Sequence, residues 1–245
     1  MENLRAGQSR VRIEGEEARH LLKVLRMQEG DRLVLAGPDG IRMRGRIEFA
    51  AKGQVSVLIE EALPPISAPP VKIALGQGLL KSRAMDLLIQ KTSELGLSEL
   101  IPFLSERTVV KWDEAKGARK LRHWEGISRA SLKQSDRHTP LRIERPVAFS
   151  DLLSRKWPPE TVKLILWEEE KAQDLKGLLR EGGAGRGVVA LVGPEGGFSK
   201  KEVDEAKNKG FRPVSLGPRI LRAETASMVL VAFIQYEWGD MSKRA

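Results

Sequence analysis

Val188-Val189-Ala190-Leu191-Val192-Gly193-Pro194-Glu195-Gly196-Gly197-Phe198 opens a segment that closes, after a polar interval, on Val214-Ser215-Leu216-Gly217-Pro218-Arg219-Ile220-Leu221-Arg222-Ala223-Glu224-Thr225-Ala226. Each apolar run stops at Gly-Pro: glycine accepts backbone angles closed to other residues, and proline has no N–H with which to continue a ladder. Each run therefore predicts a strand ended by a sharp turn. Between them the helix signals agree. Ser199 as N-cap with Glu202 three residues on forms a capping box, and Phe198 against Val203 forms a hydrophobic staple. Gly210 is the stop, with Lys207 and Lys209 in the last turn. The order strand, turn, helix, strand, turn, helix predicts both turns at the carboxyl ends of neighbouring parallel strands, where open α/β sheets bind ligands. On spacing alone, two ordinary loops remain the alternative.

The same alternation extends upstream. Residues 71–75 predict a strand ending at Gly76-Gln77-Gly78, and residues 82–95 a helix with Met85, Leu88, Ile89, Thr92 and Leu95 on one face and Gly96 as its cap. A strand over 99–104, a long basic helix over 114–135, a strand over 162–167 and a short helix near 174–180 follow. This predicts an α/β domain with a mainly parallel sheet and helices on both faces. Gly182-Gly183-Ala184-Gly185-Arg186-Gly187 is a loop.

The first 63 residues read differently. Residues 16–27 place Ala18, Leu21, Leu22 and Leu25 at helical spacing, a strand covers 32–36, and Pro38-Asp39-Gly40 is a turn. Ile41, Met43, Gly45 and Ile47 then alternate with Arg42, Arg44 and Arg46, and Lys52-Gly53 turns into a strand over 55–59. A small closed or half-closed β-barrel is expected. Four prolines within residues 64–70 stay extended and make a semi-rigid linker, so the expected domains are 1–63 and 71–245.

Of 245 residues, 41% are hydrophobic and 31% charged, as in a soluble globular protein. Without cysteine, disulfides and thiolate zinc sites are excluded, and His20, His123 and His138 are too scattered for a histidine metal site. The N-terminus lacks an apolar signal core and the longest apolar run, 228–234, is too short for a bilayer, so a cytoplasmic protein is expected. A net charge of +9 points to a polyanionic partner. Residues 107–145 carry eleven Lys and Arg against five Asp and Glu, whereas 1–63 carry eleven against ten. Arg119, Lys120 and Arg122 on the basic helix are therefore candidate RNA contacts. Arg10, Arg12, Arg42 and Arg44 are a second set; their alternative is a solvated face balanced by Glu14, Glu16 and Glu17.

Other motifs are weak or absent. Gly76-Gln77-Gly78 sits where a dinucleotide fingerprint belongs but lacks the third glycine and the acid about 20 residues on. No P-loop occurs, and Gly197-Phe198-Ser199 lacks the final glycine of a nucleophile elbow.

Gly193-Pro194-Glu195-Gly196-Gly197-Phe198-Ser199, followed by Leu216-Gly217-Pro218-Arg219-Ile220-Leu221-Arg222-Ala223-Glu224-Thr225-Ala226, resembles the paired signature of the RsmE family, the small-subunit rRNA uridine N3-methyltransferases of the SPOUT class. Further matches are Ala74-Leu75-Gly76-Gln77-Gly78, Met85-Asp86, Ile89-Gln90-Lys91, Glu94-Leu95-Gly96, Ser105-Glu106-Arg107, Gln134-Ser135 with Arg137, and Trp238-Gly239-Asp240. Two departures stand out: Lys133-Gln134-Ser135-Asp136-Arg137 replaces Glu-Gln-Ser-Gly-Arg, and Ala223 stands where Thr is common. The resemblance implies a PUA-like N-terminal barrel that helps grip RNA. It also implies a C-terminal SPOUT domain with a deep trefoil knot, a rare exception to ordinary topology.

S-adenosylmethionine is then the implied cofactor. Leu166, Val192, Gly193, Pro194, Glu195, Gly196, Leu216, Gly217, Ile220, Leu221, Arg222, Thr225 and Ala226 are its implied contacts, a set of main-chain and apolar groups suited to adenine and ribose. The implied substrate is ribosomal RNA, free or in the assembled small subunit. Uracil N3 carries a proton at neutral pH, so the reaction asks for a base and an anion clamp. Arg222 and then Arg137 are the candidate clamps; Glu224, Glu195 and Glu94 are the candidate bases. The helix over 226–238 is apolar at nearly every position, which predicts burial on all sides, in part against a second copy in a homodimer. A nicotinamide-type nucleotide enzyme and a non-catalytic RNA-binding module remain the alternatives.

Overall fold

The computed structural model of the chain describes all residues except 1–3, 6, 38–40, 52, 65–69, 136–138, 182–186 and 242–245. The chain forms two compact units, Met1–Ala68 and Pro69–Ala245. The expected turn Pro38-Asp39-Gly40, most of the proline-rich linker and most of the Gly182–Gly187 loop lie outside the described residues.

In the first unit β1 (Arg10–Glu14), β2 (Arg32–Ala36), β3 (Arg42–Ala51) and β4 (Gln54–Leu63) form an antiparallel sheet in the order β1-β4-β3-β2. The alternation read in the third strand holds: Met43, Gly45 and Ile47 are buried, while Arg44 and Arg46 are exposed. Val11, Ile13, Met43, Ile47, Val55 and Val57 form the core, with Ala18 of helix α1 (Gly15–Arg19) packed in. Among the described residues β1 and β2 do not pair, so the sheet is open rather than a closed barrel. The helix expected over 16–27 is shorter and changes pitch, continuing from α1 as a π-turn over His20–Val24. The wider turn carries the later residues off the apolar face: Ala18 is buried, but Val24 is 65% and Leu25 55% exposed. Arg26, at φ +53, ends it.

The second unit runs β5 (Ile73–Gly78), α2 (Ser82–Glu94), β6 (Glu99–Leu104), α3 (Glu114–Ser135), β7 (Arg142–Ile143), β8 (Val147–Ala148), α4 (Phe149–Leu153), β9 (Val162–Leu166), α5 (Leu175–Glu181), β10 (Val188–Val192), α6 (Lys200–Asn208), β11 (Arg212–Val214) and α7 (Ala223–Glu237). Its sheet is parallel in the order β11-β9-β10-β5-β6-β7, with β8 beside β6. Every residue of β5 and β10 is buried, because helices cover both faces. Neighbours on one strand point to opposite sides: Leu164 and Ala190 join one core with Leu88 and Leu230, whereas Ile165 and Leu191 join another with Phe103 and Val203.

Two expectations change here. The glycine turns do not follow neighbouring strands, because β9 lies between β10 and β11. β10 is already paired on both sides, with β9 and β5, so β11 must add beyond β9. That edge position tolerates Pro213 inside the strand. Nor is α7 buried on every side: Ala226, Ser227, Leu230, Val231, Ile234 and Gln235 are buried, while Phe233 is 50% and Tyr236 60% exposed. The helix packs against α2, α5 and the sheet strands β5 and β10, leaving Phe233 and Tyr236 outward.

Candidate functional site

The carboxyl ends of β9, β10 and β11 and the first turns of α2 and α7 wall a cleft of about 1240 Å³. That exceeds the ~300–1,000 Å³ of most single-ligand pockets and leaves room for two reactants. Leu166, Val192, Gly193, Pro194, Glu195, Gly196, Leu216, Gly217, Ile220, Leu221, Arg222 and Ala226 all line it. Thr225 does not; it is exposed and off the wall, since each helical residue turns about 100° from the last. Arg222, the N-cap of α7, and Glu224, in its first turn, share the wall. Arg137, Asp136 and the side chain of Lys133 lie outside the described residues.

Glu94 does not line the cleft. α2 begins at the cleft with Ser82, and Glu94 is its last residue, about 18 Å further along the helix axis. There it binds Lys91 Nζ at 3.0 Å. The carboxylate of Glu195 lines the cleft but already accepts the Lys81 N–H at 3.1 Å, tying the turn to the start of α2.

The first turn is held from several sides. Gln77, fully buried, donates from Nε2 to the carbonyls of Gly78 and Gly193, each at 3.0 Å, and its Oε1 accepts from the Ser227 hydroxyl of α7. A Cβ on Gly78 would lie 2.3 Å from Pro194 N, so this glycine exists for backbone contact. At Gly76 a Cβ would strike Leu191 and Leu152 at 2.6 and 2.8 Å. Both glycines of the incomplete dinucleotide pattern are thus spent on packing, not on a ligand. Within the turn, Gly197 at φ +67 donates to Pro194 O at 2.9 Å. The capping box is formed, with Ser199 Oγ accepting the Glu202 N–H at 3.3 Å and Glu202 Oε2 accepting the Ser199 N–H at 2.9 Å. Phe198 and Val203 are buried together, completing the staple.

Among the described residues the backbone of the second turn is held at its start, where Ser215 N donates to Gln173 O at 3.1 Å and Leu175 N to Ser215 O at 3.2 Å, and Leu216 and Leu221 pack half-buried against the core. Between them Gly217 has φ +101 with no atom within 4 Å of where a Cβ would stand, and Ile220 is 90% exposed. Lys81, Arg83, Lys171, Arg219 and Arg222 share the wall with Glu168, Glu170, Glu195 and Glu224. Of these, Lys81, Arg83, Glu168, Glu170, Lys171 and Arg219 were not among the candidate site residues named from the sequence. Glu168 Oε1 would stand 2.8 Å from a Cβ on Gly197, against the first turn. Its signal was available: a carboxylate just past the end of a parallel strand.

The candidate RNA contacts fall into two kinds. In the first unit Arg10 binds Glu48 at 2.8 Å, Arg12 binds Glu14 at 2.6 Å, and Arg44 pairs with Glu61. Arg32 and Arg46 share Glu60, so the balancing acids include Glu48, Glu60 and Glu61 as well as Glu14. Arg42 is half-buried, with a buried Nε that has no hydrogen-bond partner. On α3 Gly117 and the side chains of Trp124, Ser128 and Ser131 mark the buried stripe, and Arg119 and Arg122 are exposed with no ion pair among the described residues. Lys120 lies over Trp112, 5.4 Å from the ring centre.

Comparison with known proteins agrees with this geometry. A family model described as an RNA methyltransferase domain matches residues 67–235, and one described as an RNA methyltransferase PUA domain matches 13–60. Ribosomal RNA small subunit methyltransferase E of Bacillus subtilis is 31% identical over 92% of this chain and 89% of its own length. The protein of that name from Synechocystis is 32% identical over 91% of this chain and 72% of its own. Among solved structures, ribosomal RNA small subunit methyltransferase E from Neisseria gonorrhoeae, bound to S-adenosyl methionine, is 32% identical and superposes with a TM-score of 0.85 over 98% of this chain and 96% of that one. An α/β unit matching an RNA methyltransferase domain, joined to a PUA-type unit and with its glycine turns at one cleft, makes this chain a member of the ribosomal RNA small subunit methyltransferase E family.

Proposed function

We propose that this chain uses S-adenosylmethionine to methylate N3 of a uridine in small-subunit ribosomal RNA. One observation carries the reading: both glycine turns and the end of β9 wall a single cleft that also bears Arg222 and Glu224. The half-buried Leu166, Leu216 and Leu221 offer aliphatic surface for an adenine, and the turns offer main-chain donors and acceptors. When bound, the cofactor supplies an electrophilic methyl group on a cationic sulfur. The protein must then orient the uracil, take one proton and steady one developing charge. Glu224 is the base for the N3 proton, and the Arg222 guanidinium faces the carbonyl oxygen that gains charge, with Arg137 as a second donor. Because N3 lies on the pairing edge, the uridine must leave any base pair before it enters.

RNA is held electrostatically by Arg119 and Arg122 of α3, with Lys120 restrained on Trp112, and by the arginine face of the first unit. Exposed ion pairs such as Arg10–Glu48 are worth only ~0–1 kcal/mol, so a phosphate can displace the carboxylates. The outer face of α7, with Val229, Phe233 and Tyr236 at helical spacing, is assigned to the same face of a second copy, giving a two-fold homodimer. The chain passes from edge strand β11 back to α7 beside α2. That return supports the trefoil threading implied by the family, and a cytoplasmic setting follows from the substrate. Domain limits of 1–63 and 71–245, joined by 64–70, complete the proposal. A nucleotide enzyme of the Rossmann kind would need Gly76 and Gly78 for its ligand, and a plain RNA-binding module leaves the cleft without a task.

Calorimetric titration with S-adenosylmethionine, followed by mapping of N3-methyluridine in 16S rRNA exposed to protein and cofactor, tests the reading. A folded protein that binds no cofactor overturns it. Replacing Arg119 and Arg122 by Ala is expected to lower the slope of log affinity for RNA against log salt by about 1–2 and to leave cofactor affinity unchanged. Phe233→Asp is expected to shift the sedimenting species from dimer to monomer.

A further inference from the structure

Loop 105–108, just after β6, is not part of the cleft wall, yet it is fastened to the first glycine turn twice. Glu106 donates its N–H to Glu202 Oε1 at 2.9 Å, while the other oxygen of that carboxylate caps the turn at Ser199. Glu202 is only 6% exposed. A capping box needs one side-chain oxygen; here the second is used on a loop 96 residues away. Arg107 Nη1 donates to Gly196 O at 3.2 Å, and a Cβ on Gly196 would stand 3.1 Å from Arg107 Cβ and 3.3 Å from its carbonyl oxygen. Loop and turn are therefore in direct contact. The loop holds its own shape, with Ser105 N–H donating to Thr108 Oγ1 at 2.9 Å and Thr108 N–H to Ser105 O at 3.1 Å.

Its continuation is fixed as firmly to α3. Trp112 packs on Trp124 with ring centres 5.8 Å apart, lies close against Gly117 and carries Lys120 over its face. One short segment thus joins the start of the basic helix to the cofactor turn.

We propose that residues 105–112 form a latch in which Arg107 and Glu202 are positioning residues for the glycine turn, so that RNA on α3 and cofactor in the cleft favour the same loop conformation and bind with positive coupling. The inference rests on the methyltransferase reading above. A turn already held in its bound shape loses less freedom when the cofactor arrives, and anything that steadies the loop strengthens that advantage.

The test is calorimetry with S-adenosylmethionine, with and without a 16S rRNA fragment, on the full chain, Arg107→Ala, Arg107→Lys and Glu202→Gln. Arg107 is exposed, so its variants keep the fold even if Glu202→Gln does not. For the unaltered chain, RNA should tighten cofactor binding about five-fold. Arg107→Ala should weaken cofactor binding about five-fold, abolish the tightening, and raise KM for the cofactor with kcat retained. Arg107→Lys, which keeps one donor, should recover part of both. Cofactor affinity within two-fold of the unaltered chain in Arg107→Ala, or tightening by RNA that persists in it, overturns the latch alone. Failure of the unaltered chain to bind cofactor overturns the underlying reading instead.

Discussion

The two glycine turns that wall the cleft are alike in sequence and unlike in restraint. Gly193–Gly197 is gripped by Gln77, by Arg107, by the Glu195–Lys81 bond and by backbone contact with Gly78. Among the described residues the second turn is hydrogen-bonded at Ser215 and packed through the half-buried Leu216 and Leu221, while between them Gly217 faces open space and Ile220 stands 90% exposed. A transfer reaction needs a wall that fixes the geometry and an opening through which reactants come and go. The difference divides those tasks between two Gly-Pro turns.

The comparison is broken most severely at the rigid side. Gly78→Ala sets a methyl 2.3 Å from Pro194 N, where no side chain can move aside. The expected cost is about 3 kcal/mol, a fall in Tm of about 6–12 °C, read by thermal unfolding. On the compliant side Gly217→Val meets no neighbour but must adopt φ +101. It should cost only about 1–2 kcal/mol in stability yet remove detectable cofactor binding, because the branch projects from the cleft wall. Unchanged affinity in that variant would move the pocket away from this turn.

The smallest effect is expected far from both turns, at the β6–β7 edge, and serves as their control. Glu144 receives Arg155 and Arg142, and its pKa is held below the usual carboxylate range chiefly by the hydrogen bond from Arg155. Beside it, Glu99 is pushed up by burial and then by its hydrogen bond with Glu144. A depressed carboxylate contributes stability above its unfolded pKa and loses it as pH falls through the folded value; for the raised Glu99 the contribution is present in acid and lost as pH rises through its folded value. Glu144→Gln should therefore cost about 1 kcal/mol at pH 7, after allowance for solvent screening, or roughly 2–4 °C in Tm. The gap should close as pH falls through the lowered folded-state value of Glu144, with cofactor affinity unaltered throughout. A gap independent of pH contradicts an ionic origin.

What was legible in the sequence was local. The Ser199–Glu202 box, the Phe198–Val203 staple and the alternation of Met43, Gly45 and Ile47 with arginines depend on spacings of two to five residues, and each is present. The cleft wall was legible too, because Gly-Pro strand ends and the family signature mark it, with Thr225 the exception. What stayed hidden is set by partners distant in sequence. No local spacing places β9 between β10 and β11, gives Glu202 its bond to Glu106, or pairs Arg10 with Glu48. The apolar surface of α7 was plain, but which half the chain itself covers depends on α2, more than a hundred residues earlier.

Gln77 gives the molecule an order of assembly. Beyond its bond to the adjacent Gly78 carbonyl, its amide is completed only when Gly193, 116 residues later, and Ser227, 150 residues later, have both arrived, and its orientation is unique because carbonyls face the nitrogen and a hydroxyl faces the oxygen. Until then the amide oxygen and one amide hydrogen at the centre of the sheet lack their native partners, and closing loops of that length is slow. The first glycine turn is consequently finished at the end of folding, not when its own strand is made. Competence to bind cofactor should then arise during refolding no sooner than the burial of Trp238, whose indole N–H seats on Leu179 O at 2.8 Å as the last helix docks. Earlier binding competence would dissociate the turn from that final step.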